Sequence, residues 1–299
     1  MEMVARTERA STFISRGTPC AGTLYLPEGE RSPVVVMAHG FGAERVFRLP
    51  AYAERFAARG LAVFLFDYRN FGDSSGQPRN LVSPRRHIQD WGAAIEHVRG
   101  MREVDGGRMG LWGTSFSGGH VLVAAAKFPP VRAVVSQVPF VDGLAVAMNF
   151  KPGFVLQASY HALRDAFSMV TFRSPHNVPV IARPDSFGLM NTPDAFDGAM
   201  ALVPAGMTWK NFAPARISLA LPLYRPTMYA ARVDCPVLVI GADKDTLVPQ
   251  SSVRRAVAKM KDAEMVSRKV GHFDVYVGEE FEQVVELQAE FLARHLLNT

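Results

Sequence analysis

Apolar residues along this chain come in short, nearly unbroken runs separated by amphipathic stretches of helical length. "PVVVMAHG" (Pro33–Gly40), "LAVFLFDYR" (Leu61–Arg69), "RMGLWG" (Arg108–Gly113), "VRAVVSQVPF" (Val131–Phe140) and "CPVLVIGADKD" (Cys235–Asp245) are apolar at both parities. A strand covered on both faces needs that pattern. Between them, "LPAYAERFAARG" repeats at helical spacing and stops at Gly60, and "PRRHIQDWGAAIEHVRGM" does so with Pro84 near its start. Ser117–Phe128, "SSVRRAVAKM" and the long "FEQVVELQAEFLARHLL" also read as helices, and "EMVSRKV" as a further strand. "STFISRG" and "CAGTLYLP" read as an opening hairpin. Regular alternation of strand and helix predicts an α/β fold with a mainly parallel sheet and right-handed crossovers.

The alternation stops between about Gly143 and Thr227. This stretch is rich in Pro, Phe and Met ("FKPGFVLQ", "MVTFRSPHNVPV", "FGLMNTPDAF") and holds no run that reads as a buried strand. It is expected to be an inserted lid, 143–227, of short helices and loops over the carboxyl edge of the sheet, with 1–142 and 228–299 forming the core. Open α/β sheets bind ligands at that edge. Phe154, Phe187, Met190 and Met207 are the expected walls of an apolar substrate pocket. A peripheral subdomain with its own small core is the competing reading.

Composition narrows the class. The 299 residues, 48% hydrophobic and 20% charged, suit one large domain with an insertion. No apolar run approaches the ~20 residues of a membrane span. The start, "MEMVARTERA", has no apolar core, so no signal peptide is expected. Two cysteines, Cys20 and Cys235, make no disulfide framework, which favours a reducing, cytoplasmic setting. The net charge of +5 is mild, and its densest spots, "PRRH" and "VRRAVAKMK", form no basic stripe interleaved with aromatics. Nucleic-acid binding is therefore not expected. No CxxC, HExxH or nucleotide-binding glycine loop is present, so neither a metal nor a cofactor is expected. The oligomeric state is left open, a homo-oligomer included.

The candidate chemistry centres on "GLWGTSFSGGH" (Gly110–His120), two serines among glycines where a strand gives way to a helix. A sharp turn there exposes one side chain at the top of a sheet, and its strain demands tiny neighbours. Two frames compete. Ser115 follows the strand directly and falls at the tip of the turn; Ser117 falls in the first helical turn, where small size permits close packing. Upstream, "HGFG" after the first buried strand can aim the Phe41 N–H at a bound carbonyl oxygen, with the Phe116 N–H as a second donor. His39 reads as a loop-shaping residue. Downstream, Asp245 lies just beyond a buried strand, with Asp243 and Asp142 as competing carboxylates, and "KVGHFDV" sets His272 before the last helix. Asp67 reads as an ion-pair partner or turn cap, with a substrate contact as the alternative, and Asp90 as structural.

Serine, acid and histidine in this chain order, with the HGxG loop and the elbow, resemble the α/β-hydrolase superfamily over essentially the whole chain apart from the inserted segment. The second glycine of its GxSxG motif is replaced here by Ser117. "FDYRNFGDSSGQPR", "DWGAAIEHVR", "LWGTSFSGGHV" and "VVSQVPFVDG" further resemble a branch holding dienelactone-hydrolase-like and Xaa-Pro-dipeptidyl-peptidase-like hydrolases and fungal polyketide transferases. The resemblance implies an α/β-hydrolase fold with Ser115 as nucleophile, Asp245 as acid and His272 as base. The expected activity is cleavage of a carboxylic ester or thioester of a small-molecule acyl substrate through an acyl-enzyme. Acyl transfer with the same residues, a small-peptide peptidase and a weakly catalytic ligand receptor are the alternatives.

Overall fold

The computed structural model describes residues 6–29 and 31–298; the start of the charged N-terminal segment, Met1–Ala5, lies outside the described residues. In chain order the elements are β1 (Arg6–Ser15), β2 (Thr18–Pro27), β3 (Ser32–Ala38), α1 (Leu49–Ala58), β4 (Ala62–Phe66), α2 (Pro84–Arg99), β5 (Val104–Thr114), α3 (Phe116–Lys127) and β6 (Ala133–Gln137). There follow α4 (Gly143–Ala147), α5 (Pro152–Val170), β7 (Asn177–Val178), α6 (Ala195–Met200), β8 (Ala213–Pro214) and α7 (Ile217–Ala220). The chain closes with β9 (Val237–Ala242), α8 (Gln250–Val257), β10 (Ala263–Arg268) and α9 (Gly278–Leu296).

Eight strands form one sheet in the order β1-β2-β4-β3-β5-β6-β9-β10. The β1–β2 and β2–β4 pairs are antiparallel, and every pair from β4 to β10 is parallel. The hairpin turns through Arg16 and Gly17, both at positive φ, which matches the right-handed twist of its strands. Each residue of β4, β6 and β9 is buried, as the unbroken apolar runs predict. One face of the sheet packs on α2, α3 and α8 through residues such as Trp91, Val121 and Val253. The other packs on α1 and α9 through Tyr52, Phe56, Trp112 and Leu292. The strand expected over Val131–Phe140 ends at Gln137, because Val138 turns to φ +37° ahead of Pro139.

The segment 143–227 departs from expectation in one respect. It contains, besides short helices and the two-residue pair β7–β8, a 19-residue helix, α5. Pro152 starts that helix without loss of a hydrogen bond, since the first N–H groups of a helix have no internal acceptor. Its buried side comprises Ala158, Ala162 and Asp165, spaced 4 and 3 apart. Asp165 is fastened by Arg216, whose Nε and Nη2 donate at 2.6 and 2.9 Å, and by the N–H of His176 at 2.8 Å. The helix was illegible as such because its opposite side is also apolar, which removes the amphipathic signature.

Candidate active site

The carboxyl ends of the parallel strands bring together loops that are far apart in sequence. Ser115, between β5 and α3, has φ 56° and ψ −118°, outside the regions ordinary L-residues prefer. Its neighbours hold it there: its N–H donates to the Gln137 carbonyl at 2.8 Å, and its own carbonyl accepts from the Phe140 N–H at 2.9 Å. Small flanking residues are obligatory. A Cβ on Gly113 would come within 2.3 Å of the Ser117 carbonyl oxygen, and one on Gly119 within 2.0 Å of the Phe140 oxygen. A Cβ on Gly40 would sit 3.1 Å from that of Ser115.

Ser115 Oγ lies 3.0 Å from His272 Nε2, and His272 Nδ1 lies 2.6 Å from Asp245 Oδ2. The side chains of His272 and Asp245 are nearly or fully buried. Asp245 Oδ1 accepts from the N–H groups of Leu247 and Val248, both at 2.8 Å, so the carboxylate is aimed by its own loop. With Nδ1–H donating to the carboxylate, the His272 Nε2 lone pair faces the serine hydroxyl.

The competitors lie elsewhere. Ser117 is buried, and its hydroxyl bonds the Tyr68 hydroxyl at 2.8 Å. Asp243 pairs with Arg254 across a 2.8 Å contact on the exposed side of its loop. Asp142 caps α4 through the N–H groups of Leu144 and Ala145 and is held by Arg225 with two 2.9 Å bonds. Burial pulls its carboxyl up, but the Arg225 bonds outweigh this and hold it below its usual range. Asp67 pairs with Arg45 and caps the Asp73 N–H. Asp90 accepts from Ser15 and Arg69. His39 is buried, and burial lowers its pKa; its Nδ1–H donates to the Gly40 carbonyl at 3.0 Å.

Phe41 and Phe116 flank the serine, with their rings 5.3 Å apart, edge to face. Phe116 opens α3, so its N–H has no acceptor within the helix, and the positive end of the helix dipole faces the same spot. Ser115 and His272 open onto a cavity of about 490 Å³. Its lining includes Phe150, Phe154, Ala158 and Ile217 from the segment 143–227, and Phe140 and Val248 from the strand ends. A second cavity of about 50 Å³ also reaches Ser115 and His272, between Phe47, Ile181, Met190 and Trp209. Neither lining includes an Asp or Glu.

Of the four expected pocket walls, Phe154 and Met190 line the large cavity, whereas Phe187 and Met207 do not. Phe187 lies one layer back, its ring stacked on His161 at 4.7 Å and beside Phe154 at 5.5 Å. Met207 follows the positive-φ turn at Gly206 and packs toward the core cluster of the α1–α9 face. Missed altogether were Phe150 and Ile217 in the wall and a buried relay behind the serine. There, Thr114 bonds the Tyr276 hydroxyl, Gln137 donates to Thr114 at 3.1 Å, and Gln288 donates to Gln137 at 2.6 Å. A glutamine inside the apolar helix "FEQVVELQAEFLARHLL" was the available signal, since a buried amide requires partners. Among the described residues no cluster of metal-ligating side chains occurs, and no helix is long and apolar enough to cross a membrane.

A mainly parallel sheet with a serine at a strained strand–helix turn, hydrogen-bonded to a histidine and through it to an aspartate, defines an enzyme of the α/β-hydrolase fold, a serine hydrolase. More narrowly, the family model described as X-Pro dipeptidyl-peptidase (S15 family) matches residues 17–274, and the chain belongs to that family. Quorum-quenching protein AidA of Acinetobacter baumannii (strain MDR-ZJ06) is 41% identical over 283 residues, covering 94% of this chain and 93% of that protein. Thiohydrolase aneE of Aspergillus aculeatus is 28% identical, covering 92% of this chain and 89% of its own. The solved structure of DcsB in complex with its substrate analogue superposes with a TM-score of 0.86 at 23% identity, over 98% of this chain and 100% of that one.

Proposed function

We propose that the protein cleaves a carboxylic ester or thioester with an apolar acyl chain, through an acyl-enzyme on Ser115. The observation that carries this reading is the 3.0 Å and 2.6 Å hydrogen-bond relay from Ser115 through His272 to Asp245, opening onto an apolar cavity of about 490 Å³. His272 Nε2 takes the hydroxyl proton as Oγ attacks the acyl carbonyl carbon. Asp245 holds the ring in the tautomer that can accept it and stabilises the imidazolium. The negative charge passes to the carbonyl oxygen, for which the N–H groups of Phe41 and Phe116 serve as donors in this reading; losing one such donor in other enzymes costs roughly 10²–10³ in rate. As the tetrahedral intermediate collapses, His272 protonates the departing alkoxide or thiolate. A water, deprotonated by the same nitrogen, then attacks the acyl carbon and releases acid and free serine.

The segment 143–227 serves in this reading as a lid over the core formed by 1–142 and 228–299, and the acyl chain lies in the large cavity, whose size is typical of small-ligand sites. The small cavity, about 50 Å³, exceeds the ~10–15 Å³ that one water needs and in this reading admits the attacking water. A free peptide amino terminus is disfavoured, because no carboxylate lines either cavity to receive the ammonium charge. The name of one relative, thiohydrolase, agrees with hydrolytic cleavage of a thioester. The burial of both free cysteines, with thiols pushed up to about 12 mainly by desolvation, suits a cytoplasmic protein. Mass spectrometry after fluorophosphonate treatment tests the assignment: one adduct on Ser115 is expected, retained in Ser117→Ala and lost in Ser115→Ala. An adduct on Ser117 in the unmodified chain overturns it.

A further inference from the structure

Helix α5 is apolar on the side that faces away from the protein. Leu156, Tyr160, Leu163, Phe167 and Val170 follow one another at spacings of 4, 3, 4 and 3 residues and are 75%, 60%, 61%, 57% and 65% exposed. That spacing makes one continuous stripe, diametrically opposite the buried Ala158, Ala162 and Asp165. Phe172, just past the end of the helix, is 98% exposed. Side chains of this kind present up to roughly 150–250 Å² each. The six therefore expose on the order of 700 Å², above the ~300–600 Å² of the largest apolar patch on a typical monomer. It is also close to the ~800 Å² that each partner brings to a standard interface.

The geometry points to a second copy of this chain as the occupant, packed helix against helix across a twofold axis near Leu163. A 4–3 repeat is the spacing by which one helix seats its side chains between those of another. The flanks of the stripe fit that pairing. Ser159 and Ala166 on one side are small and let the axes approach to the usual 8–10 Å. On the other side the charged group of the helix is Arg164, whose stem can lie along the edge of the contact with its head in water. The lone acid of the helix, Asp165, faces inward in its pair with Arg216, so it does not oppose the pairing. A lipid surface is the less favoured occupant: helices that lie in a bilayer interface carry a strongly charged face rich in Lys and Arg, whereas the far side of α5 is buried protein. Because Phe154, Val155, Ala158 and Ser159 of the same helix line the large cavity, the second copy would also brace that cavity's wall.

The test is the mass of the full-length protein in solution, by sedimentation velocity and light scattering at micromolar concentration. The expected mass is twice the 32.8 kDa of the chain. Leu163→Arg is expected to give the single-chain mass while keeping its melting transition and its turnover of acetyl esters. In parallel, Leu163→Cys, with both native cysteines buried, is expected to form a disulfide-linked dimer on mild oxidation. This readout stands even if the arginine variant does not fold. A monomeric wild type, or a dimer that persists in folded Leu163→Arg with no crosslink through Leu163→Cys, overturns the proposal. So does a wild type that is monomeric in solution and sediments with vesicles of phosphatidylcholine and phosphatidylglycerol, which gives the face to lipid.

Discussion

The sheet and the segment 143–227 use apolar residues in opposite ways. In the sheet they are inside: β3, β4, β6 and β9 are all but wholly buried between two helical layers. In the segment many of them are outside. Among the described residues, thirteen of the seventeen exposed large apolar side chains lie between Leu144 and Leu223. The segment is also tied down by different means, a buried carboxylate–guanidinium pair at Asp165–Arg216 and a two-residue strand pair in place of a ladder. The lesson is that apolar content in the first region measures stability, whereas in the second, on the reading proposed above, it also measures surface offered to something else: an acyl chain on one side of α5, a second protein copy on the other. Helix α5 carries apolar residues on its outward side as well as toward the cavity.

The strongest test of this division acts on the core alone. Asp245→Asn is expected to lower kcat by ~10⁴ with little change in KM, because a wrongly held imidazole harms the transition state more than binding. Asp243→Asn and Asp142→Asn are expected to keep wild-type kcat to within a few-fold, since those carboxylates serve Arg254 and Arg225. Steady-state kinetics on a short ester checks all three. If Asp142→Asn were the damaging change, the relay as described would be wrong.

The second test separates the regions. Asp165→Ala leaves the Arg216 guanidinium and the His176 N–H without their acceptor. Removing one partner of a buried pair costs about 3–5 kcal/mol, here concentrated in the segment. Limited proteolysis should then cut within 143–227 far faster. Turnover of octanoyl esters should fall by at least about tenfold, the equivalent of ~1.4 kcal/mol, while acetyl esters are nearly unaffected. Equal loss for both chain lengths would mean that the segment and the core behave as one unit.

What could be read from the sequence divides along the same line. Every strand with an unbroken apolar run was legible, because burial on both faces leaves that mark. Ser115, Asp245 and His272 were legible because each sits just past a recognisable strand. Ser115 could be told from Ser117 by its distance from Trp112. In the segment, Phe154 and Met190 line the cavity but Phe187 and Met207 do not. Composition says that a stretch has apolar walls; it does not say which way Phe187 turns when His161 offers it a ring to stack on. The relay of Thr114, Tyr276, Gln137 and Gln288 joins four remote positions, and no local pattern encodes such a meeting.

A third test probes the core through pH. His39, His87 and His120 are buried, and burial pushes all three below their usual value of 6.5, His120 to about 3. The unfolded chain therefore takes up protons first as pH falls. Their contribution to stability is intact above pH 6.5 and is lost progressively between there and about 3. Thermal melts across that range should show Tm falling well before the carboxyls of Asp142 and Asp165, held below their usual 3.8, begin to protonate. In His120→Gln the slope should be shallower, whatever its Tm at neutral pH. A Tm that stays level down to pH 4 would mean these histidines are not held neutral.

The smallest effect, and the one that sharpens the comparison most, is measured carbon by carbon. If the cavity under α5 receives the acyl chain, each added methylene buried there is worth up to ~0.8 kcal/mol, about fourfold in kcat/KM if the gain reaches the transition state. A series of acetyl, butyryl, hexanoyl and octanoyl esters should climb at up to this rate until the 490 Å³ cavity is filled. Phe154→Ala removes a wall of that cavity and should flatten the climb. Met207→Ala, which packs on the core cluster and lines neither cavity, should lower stability and leave the slope unchanged. Phe187→Ala should fall between them, since it supports the Phe154 ring without lining the cavity. A series that is flat in the unmodified protein would assign the apolar side chains of the segment to packing alone. A climb flattened by Met207→Ala and untouched by Phe154→Ala would put the chain on the other side of Trp209, toward the smaller cavity.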